Sequence, residues 1–140
     1  MTLTVELTED IAACRALRRE VFIEEQGVSE ADEVDTLDPE ALHLLATRSG
    51  VALGTARLLV RGDTLKIGRV CVLQAYRGEG VGAELMRAAL DVGRSREGLT
   101  RAFLGAQTTA LSFYLRLGFQ PIGEVYEEAG LLHQDMECPL

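Results

Sequence analysis

The sequence predicts a mixed α+β domain: a central, mostly antiparallel, twisted sheet of about seven strands flanked by helices. Three observations predict it. Short alternating or β-branched segments are joined by turns too tight for crossover helices. Two longer segments, starting near Asp10 and Gly80, repeat apolar residues at helical spacing. Between a β-branched run and the second of these lies a glycine-rich turn, so that strand, loop and helix follow in succession.

Thr2 to Leu7 alternates, with Leu3, Val5 and Leu7 on one side, as a half-buried strand does. From Asp10 the period changes. Ile11, Cys14, Leu17, Val21 and Phe22 form an apolar stripe, Arg15, Arg18, Arg19 and Glu20 fall on the polar side, and Gly27 is the expected stop. Eight of the 22 acidic residues lie between Glu24 and Glu40 with no lysine or arginine among them. Such a run reads as a solvated loop or as a rim that attracts a cationic amine.

His43 to Arg48 and Val51 to Val60 read as a hairpin around Ser49-Gly50, and Arg61-Gly62-Asp63 turns the chain into Thr64 to Leu73. The helix from Gly80 to Gly93 is expected to bury Val81, Leu85, Ala88, Ala89 and Val92. Leu99 to Ala106 is strand-like, and Thr108-Thr109 is a candidate cap for a helix over Ala110 to Leu117, ended by Gly118. Phe119 to Tyr126 and Leu131 to Glu137 close the chain as paired strands.

At 140 residues the chain is expected to form one domain, residues 1–140. Its net charge of −8 argues against general binding to nucleic acid or to an anionic membrane. No secretory leader is visible, and no apolar run approaches the ~18 residues of a membrane span. Cys14, Cys71 and Cys138 lie far apart and are odd in number, which fits a reduced cytoplasmic protein. Two distant histidines make no metal cluster, so no metal is expected.

The glycine-rich turn carries the chemistry. Gly78, Gly80 and Gly82 let backbone N–H groups converge, Arg77 offers a forked cation, and the helix start adds uncompensated donors. That combination suits a phosphate or pyrophosphate. A kinase-type P-loop is excluded because no lysine follows. A dinucleotide loop, and with it an oxidoreductase, lacks the acidic residue expected after the next strand, where Gln107 stands. The remaining type is the acyl-CoA loop, with the pattern R-G-x-G-x-G/A over Arg77, Gly78, Glu79, Gly80, Val81 and Gly82.

Here the sequence resembles the GNAT superfamily of acyl-CoA-dependent N-acetyltransferases. Phe113 to Phe119, FYLRLGF, is similar to the superfamily's FYxxxGF segment, and Gln107 stands seven residues before the tyrosine, where many members carry asparagine. The resemblance is strongest to the ElaA/YjcF-like bacterial branch. The matching segments are Val21 to Gln26, the run Glu33, Asp35, Asp38 with His43, the strand Arg69 to Leu73, Ala106 to Thr108, and Gly130 to Met136. The branch often has a proline after the Glu-Gln pair, whereas Gly27-Val28-Ser29 stands here.

The resemblance implies the GNAT fold and direct acetyl transfer from acetyl-CoA to a primary amine, with no protein nucleophile. It implies that the pantetheine arm pairs with Val70, Cys71 and Val72, that the Val72 N–H faces the oxyanion, and that the 77–82 loop holds the pyrophosphate. Tyr114 is then the candidate general acid, the alternative being that it only packs its helix. Glu25 and His133 are candidate bases, Glu24 and Asp32 further ones, and Gln107 joins the cofactor side. Cys71 reads as a buried apolar group more readily than as a nucleophile. The acceptor is expected to be a cationic amine, and a homodimer is compatible with the family. The contrasting function is a non-catalytic acyl-CoA sensor, which has no use for a proton donor at Tyr114.

Overall fold

The computed structural model describes residues 2–140, which include the whole of the first predicted strand. Its seven strands are β1 Leu3–Thr8, β2 Leu42–Arg48, β3 Val51–Arg61, β4 Thr64–Val72, β5 Arg101–Gln107, β6 Gln120–Glu128 and β7 Leu131–Pro139. They form one sheet in the order β1-β2-β3-β4-β5-β7-β6. Every neighbouring pair is antiparallel except β4 and β5. The helices are α1 Ile11–Arg18, α2 Glu30–Glu33, α3 Val81–Ser95 and α4 Leu111–Arg116. No helix among the described residues is long and apolar enough to cross a membrane.

The two faces of the sheet are held differently. On one, α3 lays Val81, Leu85, Met86 and Ala89 onto Leu44, Leu58, Leu65 and Ile67, with Phe119 and Met136 closing the same core. Ala88 and Val92, expected to be buried, are only half-buried, because the apolar stripe is centred on Leu85 and Ala89. On the other face a small cluster of Leu17, Val21 and Cys71 is joined by buried charges.

Those charges correct the reading of the acidic run. Glu33 and Asp38 are buried, and so is Arg18, which the helical pattern had placed on the polar side. Asp38 accepts from Arg15 Nε at 2.9 Å, from both terminal nitrogens of Arg18 at 2.9 and 2.6 Å, and from Arg57 at 3.2 Å. Arg18 Nε also lies 2.9 Å from Glu33. Asp35 takes the Arg57 fork at 2.8 and 2.9 Å. The His43 Nε2–H donates to the Asp38 carbonyl at 3.0 Å, pinning the same turn. Glu33, Asp35 and Asp38 fold inward because arginines from α1, β3 and β4 neutralise them, while Glu24, Glu25, Glu30, Asp32 and Glu40 stay exposed.

The first helix differs too. After α1 the chain continues as a π-helical segment, Arg19–Glu25, with Gln26 N–H donating to the Val21 carbonyl at 3.1 Å. The extra residue in the turn changes the phase of Glu25 and Gln26, a device often found beside functional sites. Gln26 reaches Gln107, whose Nε2 donates to it at 3.0 Å. Thr108 and Thr109 make no cap bond; a 3-10 turn, Thr108–Ala110, leads into α4 instead.

Replacing Asp38 with asparagine should cost roughly 3–5 kcal/mol, since it leaves buried arginines without their shared partner. Denaturant unfolding measures this directly. Arginine hydrogen bonds hold Asp35 and Asp38 below the usual carboxylate range. Their stabilisation is therefore complete above about pH 4 and is lost as pH falls further, and the asparagine variant should show a shallower acid dependence.

Candidate active site

β4 and β5 pair over only three positions, Thr64 with Arg101, Leu65 with Ala102 and Lys66 with Phe103. Beyond Lys66 they part. The cause is a bulge in β4: Thr55 faces Cys71 and Arg57 faces Gly68, so Ala56 alone opposes both Arg69 and Val70. Arg69 takes a left-handed φ of +51°, uncommon for a residue with a side chain. Between the diverging strands lies a cleft of about 1190 Å³.

The edge of β4 facing this cleft has no partner strand beyond Lys66. Leu73 N–H donates to the Leu53 carbonyl at 2.9 Å, on the β3 side. Because successive N–H groups point to opposite sides of a strand, Val72 N–H points towards the cleft. An unpaired strand edge is a template for an extended ligand.

At the end of β4 the chain turns through Gly78, φ +79°, and Gly80, φ +85°, into α3. Gly80 is the residue immediately before the helix, so no side chain caps the first-turn donors. They open towards the cleft along with Gly82 and Ala83. A fifteen-residue helix also brings its positive dipole end to that point.

Eleven further predicted residues besides Gly80 line the same cleft: Asp32, Val70, Cys71, Val72, Arg77, Gly78, Val81, Gly82, Gln107, Tyr114 and His133. Glu24, Glu25 and Glu79 do not. Glu25 receives both terminal nitrogens of Arg77 at 2.6 Å, which holds its carboxyl below the ordinary range. Arg77 Nε donates to the Val72 carbonyl at 3.0 Å, so this side chain ties the loop to β4 and to the π-helical segment. Glu79 pairs with Arg48 at 2.7 Å.

Tyr114 is buried at 9% exposure, edge-on to Phe113 and Phe119. The residue borders the cleft. Burial pushes its ionisation up to about 12. Burial likewise pushes the Cys71 thiol to about 12, so it is a neutral thiol, packed against Leu17 and Val21.

His133 stands opposite Gln107 in the β5–β7 ladder. Its Nδ1 lies 2.8 Å from the Leu131 carbonyl, which can only accept, so Nδ1 carries the hydrogen and Nε2 is left as an acceptor in the neutral ring. The ring stacks on Tyr126 at 5.8 Å. Tyr126 and Asp135 border the cleft but were not singled out from the sequence, since β6 reads as an ordinary exposed strand. The Tyr126 hydroxyl donates to Asp135 at 2.7 Å and fits against Gly105, where a Cβ would come within 2.7 Å of that oxygen.

A single wall of unpaired strand and a helix start without a side-chain cap describe a site suited to an extended anionic ligand, with a phenol at its border. Residues 7–140 match the family described as the acetyltransferase (GNAT) domain. The chain belongs to the GNAT acetyltransferase family. Protein ElaA of Escherichia coli (strain K12) is 38% identical over 124 residues, 86% of this chain and 81% of that one. The uncharacterized N-acetyltransferase YjcF of Bacillus subtilis (strain 168) is 33% identical over 121 residues, 86% of each chain, which supports the ElaA/YjcF-like branch. The crystal structure of an acyl-CoA N-acyltransferase from Pseudomonas aeruginosa superposes with a TM-score of 0.85 at 34% identity, covering 99% of both chains.

The Tyr126 hydroxyl is raised by burial and then by Asp135. Asp135→Asn should therefore lower the alkaline titration of Tyr126 part of the way to its ordinary value and leave Tyr114 near 12. Ultraviolet difference titration of the two proteins reads both groups.

Proposed function

We propose that this protein transfers an acetyl group from acetyl-CoA to a primary amine by direct attack in a ternary complex. The observation that carries the reading is the early parting of β4 from β5, which leaves strand edge running into the uncapped start of α3. The pantetheine amides would pair with the free edge at Val70 to Val72, and the pyrophosphate would rest on loop N–H groups from Gly78 to Gly82. Arg77, engaged by Glu25, would brace that loop more than grip the phosphate itself.

The amine nitrogen attacks the thioester carbonyl carbon, and the oxyanion that forms is met by the Val72 N–H. As the C–S bond breaks, Tyr114 gives its proton to the departing sulfur. A CoA thiolate in water has a basicity near ~8.5, well below Tyr114, but the same desolvation raises the thiolate inside the cleft and narrows the gap. The proton lost by the amine goes to His133 Nε2, directly or through water. Of the candidate bases, His133 and Asp32 border the cleft; His133 stands opposite Gln107 with a free acceptor, whereas Glu25 lies outside the cleft, held by Arg77.

Free thiol release from acetyl-CoA with pooled amines tests the reading; binding without turnover would mark a sensor. Gly80→Val would strain the left-handed position and should cut acetyl-CoA affinity by more than about tenfold in calorimetry. Tyr114→Phe keeps the ring, so CoA affinity should hold while turnover falls roughly 10²-fold. The acid must be protonated to act and ionises only near 12, so turnover should show no Tyr114-dependent alkaline decline up to about pH 10. A Phe variant within about twofold of the parent would make Tyr114 a packing residue.

A further inference from the structure

One end of the cleft is walled by Asp32, Glu33, Asp35, Arg57, Lys66 and Arg69. Behind them Arg15, Arg18 and Asp38 complete one network of ion pairs with Glu33, Asp35, Arg57 and Arg69. Two of the carboxylates are taken up by hydrogen bonds, whereas Glu33 Oε1 has ion pairs but no hydrogen-bond partner. Asp38 takes bonds from three arginines, and Asp35 takes the Arg57 fork together with the Leu37 N–H. Asp32 and Lys66 stand exposed at the rim.

Of the two arginines of this network that line the cleft, Arg57 and Arg69, Arg69 is the less engaged. Of its guanidinium, only one terminal nitrogen donates, to the Glu33 carbonyl at 3.0 Å and at 3.3 Å to Asp35. Its Nε lies 3.7 Å from Glu33 without a hydrogen bond. The strained bulge projects this side chain into the wall of the cleft. Backbone strain of roughly 1–3 kcal/mol persists only where the surroundings impose it, and such residues cluster at ligand sites. Burial and the neighbouring Arg57 disfavour its charge, so an added anion would relieve the site. The opposite wall is acidic instead: Glu128 is exposed there and Asp135 holds Tyr126, close to His133.

We propose that Arg69 is a specificity residue that binds a carboxylate of the acceptor, so that the acceptor is an amino acid rather than a polyamine. This rests on the acetyl-transfer reading. A carboxylate would accept from the Arg69 nitrogens that the protein leaves unused, and a planar guanidinium suits it geometrically. The carboxylate would lie on the β4 wall and the amine would face the β6–β7 wall.

Product binding tests this without requiring turnover. In the presence of CoA, N-acetylglycine, N-acetylleucine and N-acetyl-4-aminobutyrate are each titrated by calorimetry against the matching primary amide. At least one acid should bind more than tenfold tighter than its amide. Arg69→Gln should abolish that preference, and Arg69→Lys should retain part of it, with CoA affinity unchanged in both. Equal binding of every acid and amide, or no binding of any acid, overturns the proposal, and so does an Arg69→Gln protein that keeps the preference. These comparisons use the parent protein first, so an unfolded variant leaves the decisive one intact. Failure of the acetyl-transfer reading shows separately, as absence of thiol release with any amine.

Discussion

The structure depends on one geometric constraint: β4 and β5 run parallel and touch for three residue pairs before the bulge at Arg69 turns them apart. A parallel pair needs a long crossover, and here α3 supplies it. The same divergence therefore opens the cleft, leaves backbone donors unpaired along one wall and delivers the start of α3 to its end. Antiparallel hairpins on either side keep the two halves of the sheet rigid around the gap.

The second constraint is electrostatic. The face of the sheet away from α3 has few large apolar side chains, and Glu33 and Asp38 are buried there. Isolated, they would be expelled or protonated; with Arg18 and Arg57 against them they stay charged and fix the loop that roofs the cleft. Arg69 joins this cluster through a single hydrogen-bonding terminal nitrogen, on a backbone already displaced by the bulge.

Most strands, the long helix and the loop were legible because their signals are local: period two, period 3.6, and glycine where φ is positive. Gly78 and Gly80 are read correctly for that reason. The partners of the acidic run were not legible. Asp38 lies 20 residues from Arg18 and 19 from Arg57, and nothing in either segment announces the other. A helical wheel put Arg18 outside because it counts polarity and not pairing. The π-helical turn left no mark in composition, so the alliance of Glu25 with Arg77, 52 residues away, was hidden too. Tyr126 escaped because its strand is exposed almost throughout, and only the fold reveals that its hydroxyl meets Asp135 across the hairpin.

The buried cluster has a consequence for how such a site can change over generations. Because Asp38 is shared by three arginines, exchanging any one member alone strands the others in a dry environment. Drift at these positions is blocked one step at a time. The acidic loop, Arg18 and Arg57 form a single heritable block, and a descendant with a different acceptor would alter Arg69 or the opposite wall long before it rewrote that block.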